Sequence, residues 1–339
     1  MEYFLLPLIP IFIFIGNLLL KKNNLISNYT GKIHQTFSGK KIIPLSGGIF
    51  LSLFCIVIFV NDFTFLSISI FLIFLLGISS DLNLISSPKL RLFLQGIFVL
   101  LFVYFTKLHV GSTRVYFLDL ILGNIFLSYI FTTFCLMIVI NGSNFIDGLN
   151  GLVLGYYGTV MIIIFKLDLI GNLNIDGNNF IFFIYLIFCL FLFNIFDQLY
   201  IGDSGAYLLG FIVSFFLILI YQSSQSISPF FIILLLWYPC FENLFSIMRK
   251  FKFKKSPIFP DTKHLHQLLF FFIKKNFLNQ SLHSNNLASI SILFYNLIIF
   301  LFACIDISNT KYQVSLIFFN IIVYIFFYSK LLSFRYKIK

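Results

Sequence analysis

Four short polar segments interrupt an otherwise apolar chain, and their side chains are of the kinds that bind phosphates and divalent cations. They are INGSNFIDGLNGL at 140–152, GDSG at 202–205, SSDLNLISSPKLR at 79–91 and PDTKHLHQLL at 260–269. Carboxylate oxygens suit a hard cation such as Mg²⁺, whereas basic side chains suit phosphate. The residue types therefore point to a site for a phosphorylated ligand.

The 140–152 segment contains Asn144 and Asp147, which are three residues apart. The series continues through three glycines: Gly148, Gly151 and Gly155. On one helix all of these would share a face that is small and polar. Close packing through the glycines, or capping by Asn141 or Ser143, explains part of the pattern but leaves Asp147 unexplained. We therefore predict a ligand-binding face, with packing and capping as the alternatives.

The GDSG segment places Asp203 where a long apolar stretch begins. An acid at that position is typical of a helix N-cap. It is also typical of a magnesium site, because Mg²⁺ is commonly held by one or two carboxylates together with substrate phosphates. The flanking glycines would let a bulky diphosphate approach. We predict that Asp203 is a metal ligand, with the N-cap as the alternative.

The segment at 79–91 has an acid, Asp81, after one apolar run and two bases, Lys89 and Arg91, before the next. The bases also fit the ordinary placement of positive residues on the inner face of a membrane. An acid contributes nothing to that placement. Asp81 is therefore predicted to have a functional role, whereas the role of the two bases stays open between orientation and ligand binding.

The last segment carries His264 and His266, which are two residues apart and share a face only in extended chain. Neither a cysteine nor a third histidine lies nearby in sequence, which disfavours zinc. Basic residues such as Arg249 and Lys263 surround the pair. We predict contacts to phosphate or nucleotide, and an amphipathic surface segment at 268–277.

The elements that position these segments are predicted to be transmembrane helices. Of the 339 residues, 60% are hydrophobic and 10% charged, whereas soluble domains carry about 25% charged residues. We predict an all-α polytopic bundle forming a single domain over 1–339, with a basic loop at 249–286 that holds the histidines. Eleven candidate spans are long enough to cross a bilayer: 3–20, 44–60, 63–79, 90–106, 118–140, 150–166, 178–196, 204–221, 229–247, 287–305 and 312–330.

The distribution of basic residues predicts the orientation, because Lys and Arg stay on the cytoplasmic side. With the N-terminus outside and the C-terminus inside, most of the 23 Lys and Arg residues fall in inner segments. The outer segments then carry four: Lys107, Arg114, Lys166 and Lys311. This topology places all four polar segments on the cytoplasmic face of the inner (plasma) membrane. One site built from several inner loops is the simplest interpretation.

Taken in order, the four segments resemble the polyprenyl-phosphate N-acetylhexosamine-1-phosphate transferases of the glycosyl transferase 4 family. The resemblance runs from GKIHQ…PLSGGI at 31–49 to PDTKHLHQLL at 260–269. It implies transfer of a sugar 1-phosphate, as N-acetylhexosamine 1-phosphate, from a UDP-sugar to polyprenyl (undecaprenyl) phosphate. UMP is released, and the product begins a cell-surface glycan such as O-antigen or a cell-wall polymer. The resemblance implies Mg²⁺, with Mn²⁺ as a substitute, and admits a homodimer; no nucleic-acid partner is expected.

The resemblance also suggests residue roles. The family pattern Asn-x-x-Asp-Gly-x-Asp-Gly is similar to residues 144–151, so Asp147 would contact the base or ribose. The family pattern Gly-Asp-x-Gly is similar to residues 202–205, so Asp203 would bind Mg²⁺. The family pattern His-x-His-His is similar to residues 264–267, which would bind the diphosphate. The predicted catalytic residues are Asp81, Asp203, His264 and His266. The predicted substrate-binding residues are Lys32, His34, Lys89, Asn144, Asp147, Asn194 and Arg249.

Three positions depart from the family pattern: Ser80 and Asn150 replace customary aspartates, and Gln267 a customary histidine. In relatives the acid at the first of these positions has been assigned as a base acting on the lipid phosphate. A phosphate monoester has a second pKa of about 6 and is largely dianionic at neutral pH, so positioning and charge screening can suffice. We predict an active transferase. The alternatives are a membrane transporter and an inactive transferase-like scaffold.

Overall fold

The computed structural model of the protein describes residues 7–23, 25–26, 43–171, 173, 176–252, 254, 262–277 and 281–336. Within these ranges the secondary structure is helical and no segment forms a strand. Fourteen helices are described: α1 Leu8–Lys22, α2 Gly47–Phe59, α3 Thr64–Asp81, α4 Pro88–Thr106, α5 Tyr116–Leu122, α6 Ile125–Ile146, α7 Leu152–Lys166, α8 Gly177–Ile195, α9 Gly202–Ser223, α10 Pro229–Leu235, α11 Trp237–Lys252, α12 Leu265–Asn276, α13 Ser281–Ala303 and α14 Thr310–Tyr336.

Seven of the described helices are long and apolar enough to cross a membrane, or eight spans if the bent pair α10–α11 counts as one. Two further apolar helices, α2 and α7, are shorter. The all-α, multi-pass prediction is confirmed. The count of eleven spans and the orientation of the termini stay predictions.

Two predicted spans are interrupted. The span predicted at 118–140 is divided into α5 and α6, because the side chain of Asn124 accepts hydrogen bonds from two backbone N–H groups and starts a new helix. The span predicted at 229–247 bends by 77° between α10 and α11.

The bend between α10 and α11 has a local cause and a tertiary partner. Pro239 has no N–H to donate to the carbonyl of Leu235, four residues earlier. That carbonyl instead accepts a hydrogen bond from the hydroxyl of Tyr156 at 2.9 Å. The same hydroxyl accepts the N–H of Tyr238 at 3.3 Å. A side chain from α7 thus satisfies the backbone groups that the break exposes, as an apolar surrounding requires.

Helix α9 is the centre of the bundle. In its apolar window 94% of the residues are buried, the largest share among the candidate spans. It packs against α2, α3 and α6, and small residues bring the backbones together. A Cβ atom at Gly48 or Gly77 would collide with Ser204, and one at Gly210 would collide with Ser143. Small residues at helix interfaces are typical of membrane bundles.

The bundle has two polar ends. At one, which we call the aspartate end, lie Asp81, Asp147 and Asp203, where α3 and α6 finish and α9 starts. At the other, which we call the Arg114 end, the guanidinium of Arg114 binds residues 225–227 and 308–310.

Candidate active site

The start of α9 is held by a carboxylate from another helix. Asp81, the last residue of α3, accepts the backbone N–H of Asp203 at 2.8 Å and that of Ser204 at 3.1 Å. It also accepts the hydroxyl of Ser204 at 2.7 Å. Ile201, at the N-cap position of α9, offers no side-chain cap. Asp81 therefore takes over the capping function, and Asp203 does not act as the N-cap.

A glycine makes this arrangement possible. Gly202 has a φ of +69°, in the left-handed region that favours glycine. A Cβ atom there would lie 2.7 Å from an Asp81 carboxylate oxygen. Gly202 and Gly205 thus leave room for neighbouring protein groups, Asp81 and Gly48, in place of the diphosphate that the sequence suggested.

The Asp203 carboxylate joins four helices. Its Oδ2 pairs with Arg91 Nη1 of α4 at 3.0 Å, and its Oδ1 accepts Asn144 Nδ2 of α6 at 2.7 Å. The Ser80 hydroxyl of α3 accepts from Arg91 and donates to the same Oδ2. The Arg91 and Asp203 side chains remain 24% and 32% exposed, so a ligand can reach the pair.

Arg91 is a site residue that the sequence left undecided between orientation and function. Its distance of 112 positions from Asp203 hides the pairing. Ser80, which departs from the family pattern, fits the gap between the two side chains. A small hydroxyl both accepts and donates there, which a carboxylate in its ionised form could not do.

Asp147 stands just beyond the end of α6, and its carboxylate forms no hydrogen bond with any described residue. Burial raises the pKa of Asp147 well above its ordinary range, and the charges of Asp203 and Asp81 raise it further. Arg91 pairs with Asp203, whereas Asp147 has no ion-pair partner among the described residues. A bound cation would relieve the repulsion among these carboxylates.

The prediction that the residues from Asn144 to Gly155 share one face of a single helix is wrong. Helix α6 ends at Ile146, and α7 begins only at Leu152, after a turn that includes Gly151 with a φ of +73°. Ser143, suggested as a cap, donates to the Val139 carbonyl at 2.7 Å inside α6. Asn144 and Asp147 nevertheless reach the same site: Asn144 binds Asp203 from the last turn of α6, and Asp147, the C-cap residue, lies close enough to feel the charge of Asp203.

Mg²⁺ prefers oxygen ligands and usually takes some of them from a substrate. Among the described residues no group of three His, Cys, Asp or Glu side chains is arranged around a common metal position. The oxygens of Asp147, Asp203 and Asn144 are nevertheless hard ligands, and the neighbouring acids repel the ionised form of Asp147. The chemistry of the donor set fits a hard divalent cation that also takes ligands from a substrate, with Asp203 shared between that cation and Arg91.

The histidine segment lies directly against the 140–152 segment. The rings of Phe145 and His264 stack with centroids 5.4 Å apart. A Cβ atom at Gly148 would lie 2.6 Å from His266 Nε2. Two of the four polar segments that the sequence singled out therefore touch, and Asn144 connects them to Asp203.

The two histidines share a side because they differ in backbone conformation. His264 is extended, with ψ of 148°, and serves as the N-cap of α12, whereas His266 lies in the first turn. Their rings stack at 5.6 Å with an interplanar angle of 16°. His266 is fully buried beside the Tyr238 hydroxyl, 3.5 Å from Nδ1. Burial lowers the pKa of His266 to about 3, with Glu242 opposing and His264 adding to the shift.

Glu242 is a residue that the sequence analysis missed. Its side chain is buried, with one carboxylate oxygen 2.9 Å from His264 Nδ1 and the other accepting the Tyr324 hydroxyl at 2.8 Å. A signal existed: a lone acid within a predicted span is rare and marks a functional site.

Other predicted substrate-binding residues have structural partners. Arg249 is buried and donates to the Tyr328 hydroxyl at 2.6 Å and to the Lys263 carbonyl, which fixes the residue before His264. Asn194 is buried too. Its Oδ1 accepts the N–H of Gly151, and its Nδ2 donates to the carbonyl of Leu199 at 2.9 Å. Both side chains shape the loops around the site.

Three predicted residues remain. Lys89 is exposed in the first turn of α4, two residues before Arg91. Lys32 and His34 lie outside the described residues. At Asn150, a position that departs from the family pattern, the side chain donates to Asp197 at 2.6 Å and the backbone N–H binds Asn285, so the residue closes the loops behind the site.

Most of the site residues lie in a part of the sequence that resembles known proteins. Residues 63–221 match the sequence model of glycosyl transferase family 4. An undecaprenyl-phosphate alpha-N-acetylglucosaminyl 1-phosphate transferase of Salmonella typhi is 28% identical, over 67% of this chain and 65% of its own length. A protein of the same name from Thermotoga maritima is 29% identical, over 68% of each chain.

A third relative, a probable undecaprenyl-phosphate N-acetylglucosaminyl 1-phosphate transferase of Bacillus subtilis, is 26% identical over 71% of this chain and 68% of its own. The chain thus spans about two thirds of the length of these curated relatives. The family match includes Asp81, Arg91, Asp147 and Asp203, while His264 lies beyond its end.

Proposed function

Since the chain belongs to glycosyl transferase family 4 through residues 63–221, we propose that it transfers a sugar 1-phosphate from a UDP-sugar to polyprenyl phosphate and releases UMP. The observation that carries the proposal is the Asp203 carboxylate, which Arg91, Ser80 and Asn144 bind from three other helices. The names of the relatives support N-acetylglucosamine 1-phosphate as the group transferred and undecaprenyl phosphate as the acceptor.

The proposed orientation puts the aspartate end in the cytoplasm of a cell whose inner (plasma) membrane holds the protein, with eleven spans and the N-terminus outside. Support comes from the basic residues. Those at the Arg114 end include Lys107, Arg114 and Lys311, whereas the aspartate end includes Lys89, Arg91, Arg249, Lys250 and Lys263. Positive residues are retained on the cytoplasmic side. A UDP-sugar would then dock from the cytosol.

In the proposed reaction an oxygen of the lipid phosphate attacks the phosphorus next to the sugar. A new P–O bond forms to the lipid phosphate, and the bond to UMP breaks, with its electron pair leaving on UMP. The lipid phosphate is already largely dianionic at neutral pH, its second pKa being about 6, so a serine at position 80 is compatible with activity. The protein contributes positioning and charge, the main terms in phosphoryl transfer.

Each side chain has a proposed part in that reaction. Arg91 and Lys89 neutralise phosphate oxygens, and Asp81 fixes the backbone of Asp203 through the N–H groups that it accepts. Asp203 and Asp147 would hold Mg²⁺, or Mn²⁺ in its place, which when bound supplies positive charge to the diphosphate. His264, which stacks on Phe145 beside Asn144, would contact the diphosphate.

The test is a transfer assay on the purified protein in detergent or vesicles. It is incubated with UDP-N-acetylglucosamine that is radiolabelled in the sugar, with undecaprenyl phosphate and with Mg²⁺. We expect label to enter the organic phase, one UMP to appear per lipid labelled, and a chelator to stop the reaction. Label that enters sealed vesicles as intact UDP-sugar would indicate a transporter instead, and neither signal would indicate an inactive scaffold.

A second measurement identifies the sugar that is transferred. Product identification by mass spectrometry across a panel of UDP-N-acetylhexosamines and UDP-hexoses would identify the donor. We expect an N-acetylated donor to give the highest kcat/KM. A preference for a hexose without the acetamido group would retain the transferase but overturn the assignment of the sugar.

A further inference from the structure

Helix α11 contains a carboxylate that the reaction proposed above does not use. Glu242 lies just after the bend at Pro239, and its side chain is 1% exposed. Burying a carboxylate is costly unless hydrogen bonds and opposite charge compensate for the lost hydration. A carboxylate in this position therefore requires an explanation in terms of the groups around it.

Three donors from two other elements converge on Glu242. Oε1 lies 2.9 Å from His264 Nδ1 and 3.4 Å from the N–H of Leu265, both at the start of α12. Oε2 accepts the hydroxyl of Tyr324 from α14 at 2.8 Å. The carboxylate therefore connects α11 with α12 and with α14. On the α12 side its contact is the ring of His264.

The contact between Glu242 and Nδ1 also determines which nitrogen of the His264 ring carries the proton. A carboxylate at Nδ1 stabilises the proton on that nitrogen, which makes Nε2 the acceptor of the neutral ring and directs it away from Glu242. Stacking on Phe145 at 5.4 Å and on His266 at 5.6 Å fixes the plane of the ring. Phe145 follows Asn144, which binds Asp203, so the ring is held in register with the acidic site.

We propose that Glu242 is a positioning residue that acts through His264: it holds the imidazole with Nδ1 protonated and Nε2 toward the diphosphate of the nucleotide sugar. The inference rests on the proposed transferase function, in which His264 contacts that diphosphate. Tyr324 serves as a support, because its hydroxyl occupies the second carboxylate oxygen and keeps the first on His264.

A double-mutant cycle tests whether Glu242 acts through His264. Glu242→Gln keeps the size of the side chain but removes the charge, and we expect a fall in kcat of roughly 10- to 100-fold, the range for residues that orient a functional histidine. His264→Ala should lower kcat at least as much. Since the two act as a unit, the double variant should be no slower than His264→Ala alone. Costs that multiply in the double variant would overturn the proposal.

Two further readouts separate positioning from a merely structural role. The KM for undecaprenyl phosphate should stay within about twofold of wild type in both single variants, since the proposed contact is to the nucleotide sugar. Tyr295→Phe is the matched control: it removes a tyrosine hydroxyl that binds Asn320 at 2.5 Å instead of Glu242. We expect less than a threefold change in kcat, about 0.6 kcal/mol. A rise in KM for both substrates with a general fall in thermal stability would contradict positioning.

A measurement without turnover covers the case in which Glu242→Gln does not fold. The chain has five histidines, so the wild-type protein labelled with ¹⁵N-histidine gives few ring signals, and His264→Gln assigns the relevant one. We expect His264 to carry its proton on Nδ1. A ring protonated on Nε2 alone would overturn the proposal. If the wild-type protein lacked transferase activity while this signal agreed, the proposed function would fail and the placement of His264 by Glu242 would stand.

Discussion

The two polar ends of the bundle differ in whether their charged side chains find hydrogen-bond partners within the protein. At the Arg114 end the charges of Arg114 and Asp119 are satisfied by hydrogen bonds within the protein. The Arg114 guanidinium donates to the carbonyls of Gln225, Ser226, Ile227 and Ser308 and to the Thr310 hydroxyl, at 2.8–3.1 Å. Nearby, burial acts to raise the pKa of Asp119, but hydrogen bonds from Thr113 and Ser112 outweigh it and hold that pKa below its usual range.

At the aspartate end one acid lacks a partner. Asp203 pairs with Arg91 and Asp81 binds the start of α9, but the Asp147 carboxylate forms no hydrogen bond with another described residue. An end that completes its own hydrogen bonds is a structural joint. An end that leaves a carboxylate short of donors is prepared for a ligand that brings positive charge and phosphate. The comparison predicts that matched changes at the two ends affect different properties.

The largest expected contrast is between Asp203→Asn and Asp119→Asn. The first removes a negative charge from the site, and we expect transferase activity to fall by roughly 100-fold or more, the size of effect seen when a preorganised electrostatic group is lost. The second changes an acid at the Arg114 end that touches Ser112 and Thr113, and activity should stay within about twofold because no substrate contact is lost.

Both variants are compared by initial rate of lipid labelling at saturating UDP-sugar, with the elution volume in size-exclusion chromatography as a check on folding. Equal losses of activity in the two variants would mean that the ends do not differ in function. An unaffected rate for Asp203→Asn would show that the metal site is misassigned.

Gly148→Ala tests the contact between the acidic loop and the histidine segment. A Cβ atom there would lie 2.6 Å from His266 Nε2, so the loop or the ring must move. Overpacking of this kind costs about 1–3 kcal/mol, and we expect activity to fall roughly tenfold. Gly177→Ala is the control, because no atom lies within 4 Å of an added Cβ. Similar kcat/KM values in the two variants would contradict the contact.

A pH series sharpens the comparison through His266. Its pKa is lowered by burial to about 3, so the unfolded chain gains a proton below about pH 6.5 while the folded protein does not. Stability therefore falls as the pH drops from about 6.5 toward 3, by about 1.4 kcal/mol per pH unit at most. Thermal unfolding of wild type and His266→Gln between pH 7 and about 5 should diverge, with the wild type losing more. Parallel curves would show that His266 is accessible to protons.

The smallest expected effect is that of Arg114→Gln. The variant loses several hydrogen bonds that connect three loops, but the side chain is exposed and water replaces part of them. We expect Tm to fall by roughly 2–4 °C, corresponding to about 1 kcal/mol, with activity unchanged. A large loss of activity at normal Tm would mean that this end also takes part in the reaction.

Much of the architecture followed from apolar runs and their polar borders. Helix α9 was predicted at 204–221 and extends over Gly202–Ser223, and α3 and α4 lie close to their predicted ranges. Such runs need no tertiary information, because a long apolar stretch in a membrane must satisfy its backbone as a helix. The break between α10 and α11 was not predicted, although Pro239 lies there. The break depends on Tyr156 of α7, which binds the Leu235 carbonyl, and that tertiary contact cannot be read from the local sequence.

The sequence by itself determined a helical membrane protein with acids, arginine and histidines gathered in a few polar segments, since residue type and hydrophobic length are local properties. Tertiary structure alone decided the pairs: Asp81 with the start of α9, Arg91 with Asp203, and Glu242 with His264. These partners come from different helices, and no local pattern specifies which helices meet. Close packing between small residues of α2, α3 and α9 selects the neighbours, and the neighbours determine which charges meet.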